Sequence, residues 1–203
     1  LTLSQVKMYA SRTFQSVARA ISHKNVGILN GMKHRAMSSY PAPPPYNLTD
    51  LSGEVVLITG ATSGIGVSCA WRFAELGSNV ILAGRKVDKL AEFKETLEST
   101  YSQCKVHTVQ LDVRDRGACM ALPDSLPEPF HDVNVLVNNA GVALGTASVA
   151  TNDLDQADCM IETNVNGVIY MCRAMIPGML KRGKGHIINM GSIAGHWPYS
   201  AGT

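Results

Sequence analysis

The first 49 residues contain no aspartate or glutamate, although six of the chain's eighteen Lys and Arg residues lie there. All sixteen acidic residues lie from Asp50 onward, so the rest of the chain is mildly acidic while the whole carries a formal net charge of +2. Nucleic-acid binding requires Lys and Arg gathered on one face of a folded region. The acidic balance from Asp50 onward gives no support to that function, and we expect no nucleic-acid partner.

The sequence also lacks a C-x-x-C pair, a metal-binding spacing and any run of eighteen apolar residues. Its five cysteines are odd in number and widely spread, at Cys69, Cys104, Cys119, Cys159 and Cys172. Four histidines share no ligand spacing: His107, His131, His186 and His196. These absences argue against a disulfide framework, a metal site and a membrane-spanning helix. We expect a reduced chain whose thiols are small core or surface residues.

Residues 1–46 form a basic, Ser-rich segment that ends in the proline-rich stretch PAPPPY. Proline interrupts helices and favours an extended linker, so we expect a boundary there and one domain over residues 47–203. A helix over residues 8–21 would be amphipathic. Its apolar face would carry Ala10, Phe14, Val17 and Ile21, and the opposite face Arg12 and Arg19.

An amphipathic, arginine-bearing segment without acidic residues is typical of a mitochondrial transit peptide. We therefore expect a mitochondrial protein, with a cytoplasmic location as the alternative. The segment could instead be a disordered basic extension, or sequence translated ahead of a start at Met8, Met32 or Met37, since the chain begins with Leu1.

From Glu54 onward, short β-branched runs alternate with stretches long enough for helices. The runs are EVVLI (54–58), NVILA (79–83), KVHTVQL (105–111), VNVLV (133–137) and GHIINM (185–190). Consecutive apolar positions predict strands that are buried on both faces, as parallel sheets require. The alternation predicts an α/β fold with a doubly wound parallel sheet.

A long amphipathic helix is predicted between the last two strands. Apolar residues recur there at helical spacing, at Ile161, Val165, Val168, Cys172, Met175 and Met179. Pro177 predicts a bend near the end of this helix.

The stretch TGATSGIG, residues 59–66, follows the first predicted strand. In a doubly wound sheet the first strand-to-helix turn receives a nucleotide pyrophosphate, because free N–H groups and the helix dipole point at it. Gly60 would permit the tight turn, Gly64 the approach of the phosphates, and Gly66 close packing of helix on strand. Ser63 and Ile65 lie within the same loop. Alone, such a pattern also fits an ordinary loop.

The second predicted strand ends in Ala83-Gly84-Arg85, without the acidic residue that would bind the ribose hydroxyls of NAD. A 2′-phosphate would meet no repulsion there, and the Arg85 guanidinium could pair with it, joined by the Ser63 hydroxyl. We therefore expect NADP(H) as the cofactor. Arg85 could instead be a solvated residue at a helix start.

Two further motifs follow the fourth and fifth predicted strands: Asn138-Asn139-Ala140-Gly141 and Gly191-Ser192-Ile193-Ala194-Gly195. With TGATSGIG, their order and spacing make residues 51–203 resemble the short-chain dehydrogenase/reductase family. The third strand's Gln110-Leu111-Asp112-Val113 looks most like its NADP-dependent 3-hydroxy acid (serine) dehydrogenase branch. The resemblance implies a Rossmann-type fold, an alcohol or carbonyl substrate of small size, and a homo-oligomer formed through the long helix and the helix after it.

The resemblance also implies roles for individual residues. Asp112 and the Val113 backbone would bind the adenine. The loop of Asn139, Ala140 and Gly141 would line the adenine ribose side of the cofactor. Ser192 would hold the substrate oxygen, and the backbone carbonyl of Asn164 would order a water of the proton relay.

The family's acid/base is a Tyr followed four places later by a Lys, whose ammonium lowers the phenol pKa from about 10. The resemblance implies that this Tyr lies beyond Thr203; Tyr199 stands too close to Ser192, no Lys follows it, and we interpret it as a loop residue. We therefore expect the 203-residue polypeptide alone to be inactive and, with GHIINM at a sheet edge, poorly soluble. The alternative is a non-catalytic nucleotide-binding protein. A methyltransferase-like nucleotide fold would not need both later motifs.

Overall fold

The computed structural model describes residues 50–195. The segment 1–46, His196 and Tyr199 lie outside the described residues. The strands are β1 (Val55–Thr59), β2 (Asn79–Gly84), β3 (Val106–Gln110), β4 (Val135–Asn138) and β5 (His186–Asn189). The helices are α1 (Gly64–Glu75), α2 (Val87–Thr100), α3 (Arg116–Ser125), α4 (Leu154–Ile161) and α5 (Gly167–Arg182), with a π-helical turn at Glu162–Asn166 and a 3₁₀ turn at Ile193–Gly195.

The five strands form one parallel sheet in the order β3-β2-β1-β4-β5. The order reverses between β1 and β4, which lie side by side although two strands and three helices separate them in sequence. This is the Rossmann-type doubly wound sheet, so the predicted fold class is confirmed. The predicted strands are also correct to within about two residues, the precision that strand boundaries allow.

The sheet is buried on both faces because successive residues of each strand point to opposite sides. In β1, Val56 and Ile58 belong to an apolar cluster with residues of α1 and α2, whereas Val55 and Leu57 belong to a second cluster with residues of α3 and α5. All five residues of β1 are buried. The consecutive apolar positions in the sequence therefore reflect helices on both faces.

The predicted long helix is interrupted, and part of its apolar stripe was wrong. The π-helical turn at Glu162–Asn166 separates α4 from α5, and Ile161 and Val165 are 57% and 46% exposed. A π turn adds a residue to the helical repeat, so positions before it lose their phase with positions after it. Met175 and Met179 are buried as predicted. The helix continues through Pro177, and the irregularity lies earlier, in the π turn.

Strand β5 is an edge of the sheet within the described residues, pairing with β4 alone. Its two isoleucines, Ile187 and Ile188, are only partly buried. Across residues 50–195, none of the helices combines the length and the apolar character that crossing a membrane demands. The same residues contain no group of three or more His, Cys, Asp or Glu side chains suited to holding a metal.

Candidate functional site

A cleft of about 310 Å³ lies at the carboxyl edge of the sheet, where the strand order reverses. Loops after β1, β2, β3 and β4 all contribute to its wall. Nine residues singled out in the sequence line it: Gly60, Ser63, Ile65, Arg85, Asp112, Val113, Asn139, Ala140 and Gly141. Seven further lining residues were not among the predicted site residues: Thr62, Ala83, Gly84, Lys86, Leu111, Val142 and Thr163.

The glycine turn after β1 depends on its three glycines for different physical reasons. Gly60 and Gly64 have φ of 66° and 55°, a conformation that side chains rarely adopt. A Cβ on Gly66 would stand 2.5 Å from the Gly60 carbonyl oxygen and 2.6 Å from Asn139 Nδ2. Gly66 therefore lies against the turn rather than in the cleft, whereas space is open beside Gly64.

The start of α1 faces this turn without a side-chain cap. Ser63 occupies the N-cap position in extended backbone, and its hydroxyl makes no capping hydrogen bond. The first N–H groups of a helix have no partner within the helix, and together with the dipole they favour an anion. The turn therefore offers backbone donors for a phosphate, with the Ser63 hydroxyl beside them.

Thr59, the last residue of β1, joins the glycine turn to the loop after β4. Its hydroxyl oxygen accepts hydrogen bonds from the Asn139 and Ala140 N–H groups at 3.1 and 3.0 Å. Asn139 adds hydrogen bonds in the opposite direction, because its Nδ2 donates to the carbonyl oxygens of Thr59 (2.9 Å) and Gly60 (3.2 Å). This role of Thr59 was not predicted from the sequence. The available signal was a hydroxyl inside an otherwise apolar buried strand.

The end of β2 presents positive charge to the cleft. Arg85 and Lys86 are exposed on its wall, and in the described part of the chain no ion pair or hydrogen bond engages the Arg85 guanidinium. Asp112 is the sole acidic side chain on the described wall. An anionic group near Arg85 would meet two cations at close range.

Asp112 follows β3 and is held by Arg114. The Arg114 Nε and Nη2 atoms donate to the two carboxylate oxygens at 3.0 and 2.6 Å. These hydrogen bonds hold the pKa of Asp112 below its usual range, helped by the charge of Arg85 and opposed by partial burial of the carboxyl group. A negative acceptor therefore stands opposite the cationic end of β2.

Asn164 lies in the π-helical turn and clamps the loop after β4. Its Oδ1 accepts from the Val142 N–H and its Nδ2 donates to the Val142 carbonyl oxygen, both at 2.8 Å. A Cβ on Gly141 would stand 3.3 Å from the same Oδ1. The amide thus holds the rim of the cleft, while the Asn164 side chain itself is not part of the wall.

Ser192 follows β5 and is not brought into the cleft. Its Oγ accepts a hydrogen bond from the Ala194 N–H at 3.1 Å, within the 3₁₀ turn. Because β4 and β5 are parallel neighbours, Ser192 nevertheless emerges at the same edge of the sheet. The strand ends are tied there by Asn138 Nδ2, which donates to Asn189 Oδ1 at 2.9 Å.

Comparison with known proteins defines the class to which this fold and site belong. The family model for the short chain dehydrogenase matches residues 54–203. The chain therefore belongs to the short-chain dehydrogenase family, as its three motifs predicted.

The chain is also similar to individual members of the family. It is 47% identical to the NADP-dependent 3-hydroxy acid dehydrogenase YdfG of Salmonella typhi over 149 aligned residues, which are 73% of this chain and 58% of that protein. It is 45% identical to sulfoacetaldehyde reductase 2 of Chromohalobacter salexigens, with coverages of 72% and 57%. Among solved structures, it is similar to the serine dehydrogenase of Escherichia coli, at 42% identity and a TM-score of 0.66, covering 72% of this chain and 65% of that one. The chain thus spans somewhat more than half the length of these curated relatives.

Proposed function

We propose that the complete protein is an NADP(H)-dependent oxidoreductase that moves hydride between nicotinamide and the alcohol or carbonyl group of a small substrate. The observation that carries this proposal is the end of β2, where Arg85 and Lys86 line the cleft and the strand end itself carries no acidic residue. When bound, the nicotinamide supplies or accepts the hydride. The residues of the chain itself bind the cofactor, orient the substrate and exchange protons with it.

The cleft fits such a dinucleotide from the pyrophosphate outward. The uncapped start of α1 and the open space beside Gly64 suit the pyrophosphate. A 2′-phosphate is assigned to the Arg85 guanidinium, assisted by the Ser63 hydroxyl. The rest of the turn, Gly60, Ile65 and Gly66, supports this contact by its conformation and packing.

The opposite wall of the cleft suits the adenosine. Asp112 offers a carboxylate acceptor for the adenine amino group, and the Val113 backbone lies beside it. Asn139, Ala140 and Gly141 wall the ribose side, held in place by Thr59.

The substrate is proposed to meet Ser192 and the region of Asn164. Because the Ser192 oxygen accepts from the Ala194 N–H, its own O–H proton remains free to donate to a substrate oxygen. The backbone carbonyl of Asn164 is assigned to a water of the proton relay, and the acid/base itself to a Tyr-x-x-x-Lys pair that follows Ser192. The relatives' names favour a small 3-hydroxy acid as substrate.

Calorimetric titration of the chain with NADP⁺ and NAD⁺ tests the cofactor. We expect NADP⁺ to bind more tightly, and Arg85→Ala to weaken NADP⁺ binding by about tenfold, because one charge-assisted contact contributes on the order of 1.5 kcal/mol. NAD⁺ binding should hardly change. Lys89→Ala removes an equal charge from the exposed side of α2 and serves as the control. Equal affinity of the unmodified chain for both dinucleotides would contradict the proposal.

We also infer that the complete protein is a homo-oligomer joined along α4 and α5. Exposed apolar residues lie on both sides of the π turn and within it, at Ile161, Val165, Ile169, Ile176 and Leu180. An exposed apolar surface of this kind suits a second copy of the same surface. Ile169→Glu should lower the mass measured by light scattering, while Val87→Glu, at an equally exposed site on α2, should not.

A mitochondrial location is proposed for the protein on the composition of residues 1–46 alone. Fusing this segment to a fluorescent protein tests it directly. Mitochondrial fluorescence that disappears on replacing Arg12 and Arg19 by Glu would support the proposal, and diffuse cytoplasmic fluorescence of the unmodified fusion would contradict it.

A further inference from the structure

Arg114 makes a two-point contact with the Asp112 carboxylate at the rim of the cleft. Its Nε lies 3.0 Å from Oδ1 and 3.1 Å from Oδ2, and its Nη2 lies 2.6 Å from Oδ2. The Arg114 backbone N–H donates to Oδ1 at 3.1 Å as well. On its outer side the guanidinium reaches α4, where Nη1 contacts the Cys159 sulfur at 3.6 Å. The guanidinium plane and the carboxylate plane are therefore fixed together.

This arrangement leaves the two carboxylate oxygens unequal. An ionised carboxylate has about four acceptor positions, two on each oxygen. Oδ1 of Asp112 receives both the backbone N–H and the Nε of Arg114. Oδ2 receives Nη2 and shares the nearly equidistant Nε with Oδ1, but it lacks the backbone donor, so the open acceptor position is on Oδ2.

The contact between Arg114 and Asp112 contributes little to the stability of the fold. The side chains of Arg114 and Asp112 are 35% and 30% exposed, and ion pairs of this kind add little to the free energy of unfolding because water screens them. Orientation is the property that a fork of two hydrogen bonds adds over a simple charge pair.

We propose that Arg114 is a positioning residue for base recognition: it turns one acceptor of Asp112 toward the 6-amino group of adenine and so makes the cleft select adenine over 6-oxo purines. This proposal rests on the proposed dinucleotide site. A 6-oxo base would place a second acceptor against Oδ2, which is repulsive, whereas a 6-amino base donates to it. Without Arg114 the carboxylate is free to rotate, so both the attraction and the repulsion weaken.

The test compares NADP⁺ with its hypoxanthine analogue, in which oxygen replaces the 6-amino group. Dissociation constants are measured by calorimetry for the unmodified chain, Arg114→Ala, Arg114→Lys and Arg116→Ala. Arg116 is the matched control, because it is an exposed arginine two residues away that does not line the cleft.

We expect Arg114→Ala to weaken NADP⁺ binding by about fivefold, the equivalent of one hydrogen bond, and to leave binding of the analogue unchanged or tighter. Arg114→Lys restores the charge but not the fork, so it should recover less than half of the lost preference for adenine. Melting temperatures of all variants should stay within about 3 °C of the unmodified chain.

Three outcomes would overturn the proposal. An equal loss of affinity for both dinucleotides would show that Arg114 acts through its charge on the phosphates. Full recovery of the adenine preference by Arg114→Lys would show that the two-point contact is not required. Unchanged binding of both dinucleotides by Arg114→Ala would show that Arg114 has no role in base recognition. Failure of the unmodified chain to bind either dinucleotide would instead contradict the proposed function, and this inference with it.

Discussion

The two halves of the sheet differ in how completely their own residues support them. In β1 and β2 every residue but one is buried, and the turn after β1 is tied to the loop after β4 through Thr59 and Asn139. At β5 only the two central residues are partly buried, and Ser192 and Ile193 beyond it are exposed. The half assigned to the nucleotide is held by buried strands and by hydrogen bonds between its loops, whereas the half assigned to the substrate presents its groups on an open edge.

The largest expected effect is that the nucleotide half binds NADPH while the substrate half does not support a reaction. We expect the 203-residue chain to bind NADPH but not to oxidise it with any small aldehyde or keto acid. The acid/base is assigned to a Tyr-x-x-x-Lys pair, and the 203 residues contain no such pair after Ser192. Absorbance at 340 nm monitors oxidation, and fluorescence titration monitors binding. Measurable turnover by the purified chain would contradict this expectation and would make Ser192 or Tyr199 sufficient for proton transfer.

Overpacking the glycine turn should be the most damaging single change in the nucleotide half. Gly66→Val places a side chain within 2.5 Å of the Gly60 carbonyl oxygen, so we expect the free energy of unfolding to fall by about 3 kcal/mol and nucleotide binding to disappear. Urea unfolding measures the first and calorimetry the second. Gly191→Val, on the β5 side and with nothing within 4 Å, is the matched control and should be nearly neutral.

Removing the link that Thr59 makes between β1 and the loop after β4 should destabilise the protein somewhat less. Thr59→Val keeps the shape but leaves the Ala140 N–H without its acceptor and the Asn139 N–H with the Val137 carbonyl oxygen alone, which should cost about 2 kcal/mol of unfolding free energy. Thr59→Ser keeps the hydroxyl and should recover most of that loss. If valine and serine proved equally stable, the hydroxyl would not be the link that we describe.

The smallest expected effect concerns thiol reactivity. Burial, aided by the charge of Glu98, raises the pKa of Cys104 to about 12. Burial, aided by Asp115 and Asp112, raises the pKa of Cys119 to about 11. At about pH 8 both thiols are protonated and unreactive, since only the thiolate is a nucleophile. Mass spectrometry after iodoacetamide treatment should find these two labelled more slowly than the less buried Cys159; equal labelling rates would indicate that the core opens.

Much of the nucleotide half could be predicted from sequence because its signals are local. Consecutive apolar residues mark β1, β2 and β4, a glycine spacing marks the turn, and the missing acid after Gly84 is visible at a single position. Each of these follows from backbone geometry or burial over a few residues. The same signals identified the loops that meet at the cleft.

The contacts that fix the site could not be predicted in this way, since they join residues distant in sequence. The hydroxyl of Thr59 acts on a loop 80 residues later, and Asn164 clamps Val142 across a turn whose existence no apolar spacing announced. The error at Ile161 and Val165 has the same origin. A helical periodicity assumes a constant repeat, and the π turn changes the repeat in the middle of the stripe.

The π turn at Glu162–Asn166 has a consequence for how the protein tolerates insertions and deletions. An α-helix rotates by about 100° per residue, so one residue removed from this turn would rotate everything after it by that angle. The π turn therefore sets the angle between the side chains that precede it and those that follow it along the helical segment. It lets Asn164 face the rim loop while Met171 and Met175 face the core, and the length of this turn, more than its composition, is the property that the fold has to preserve.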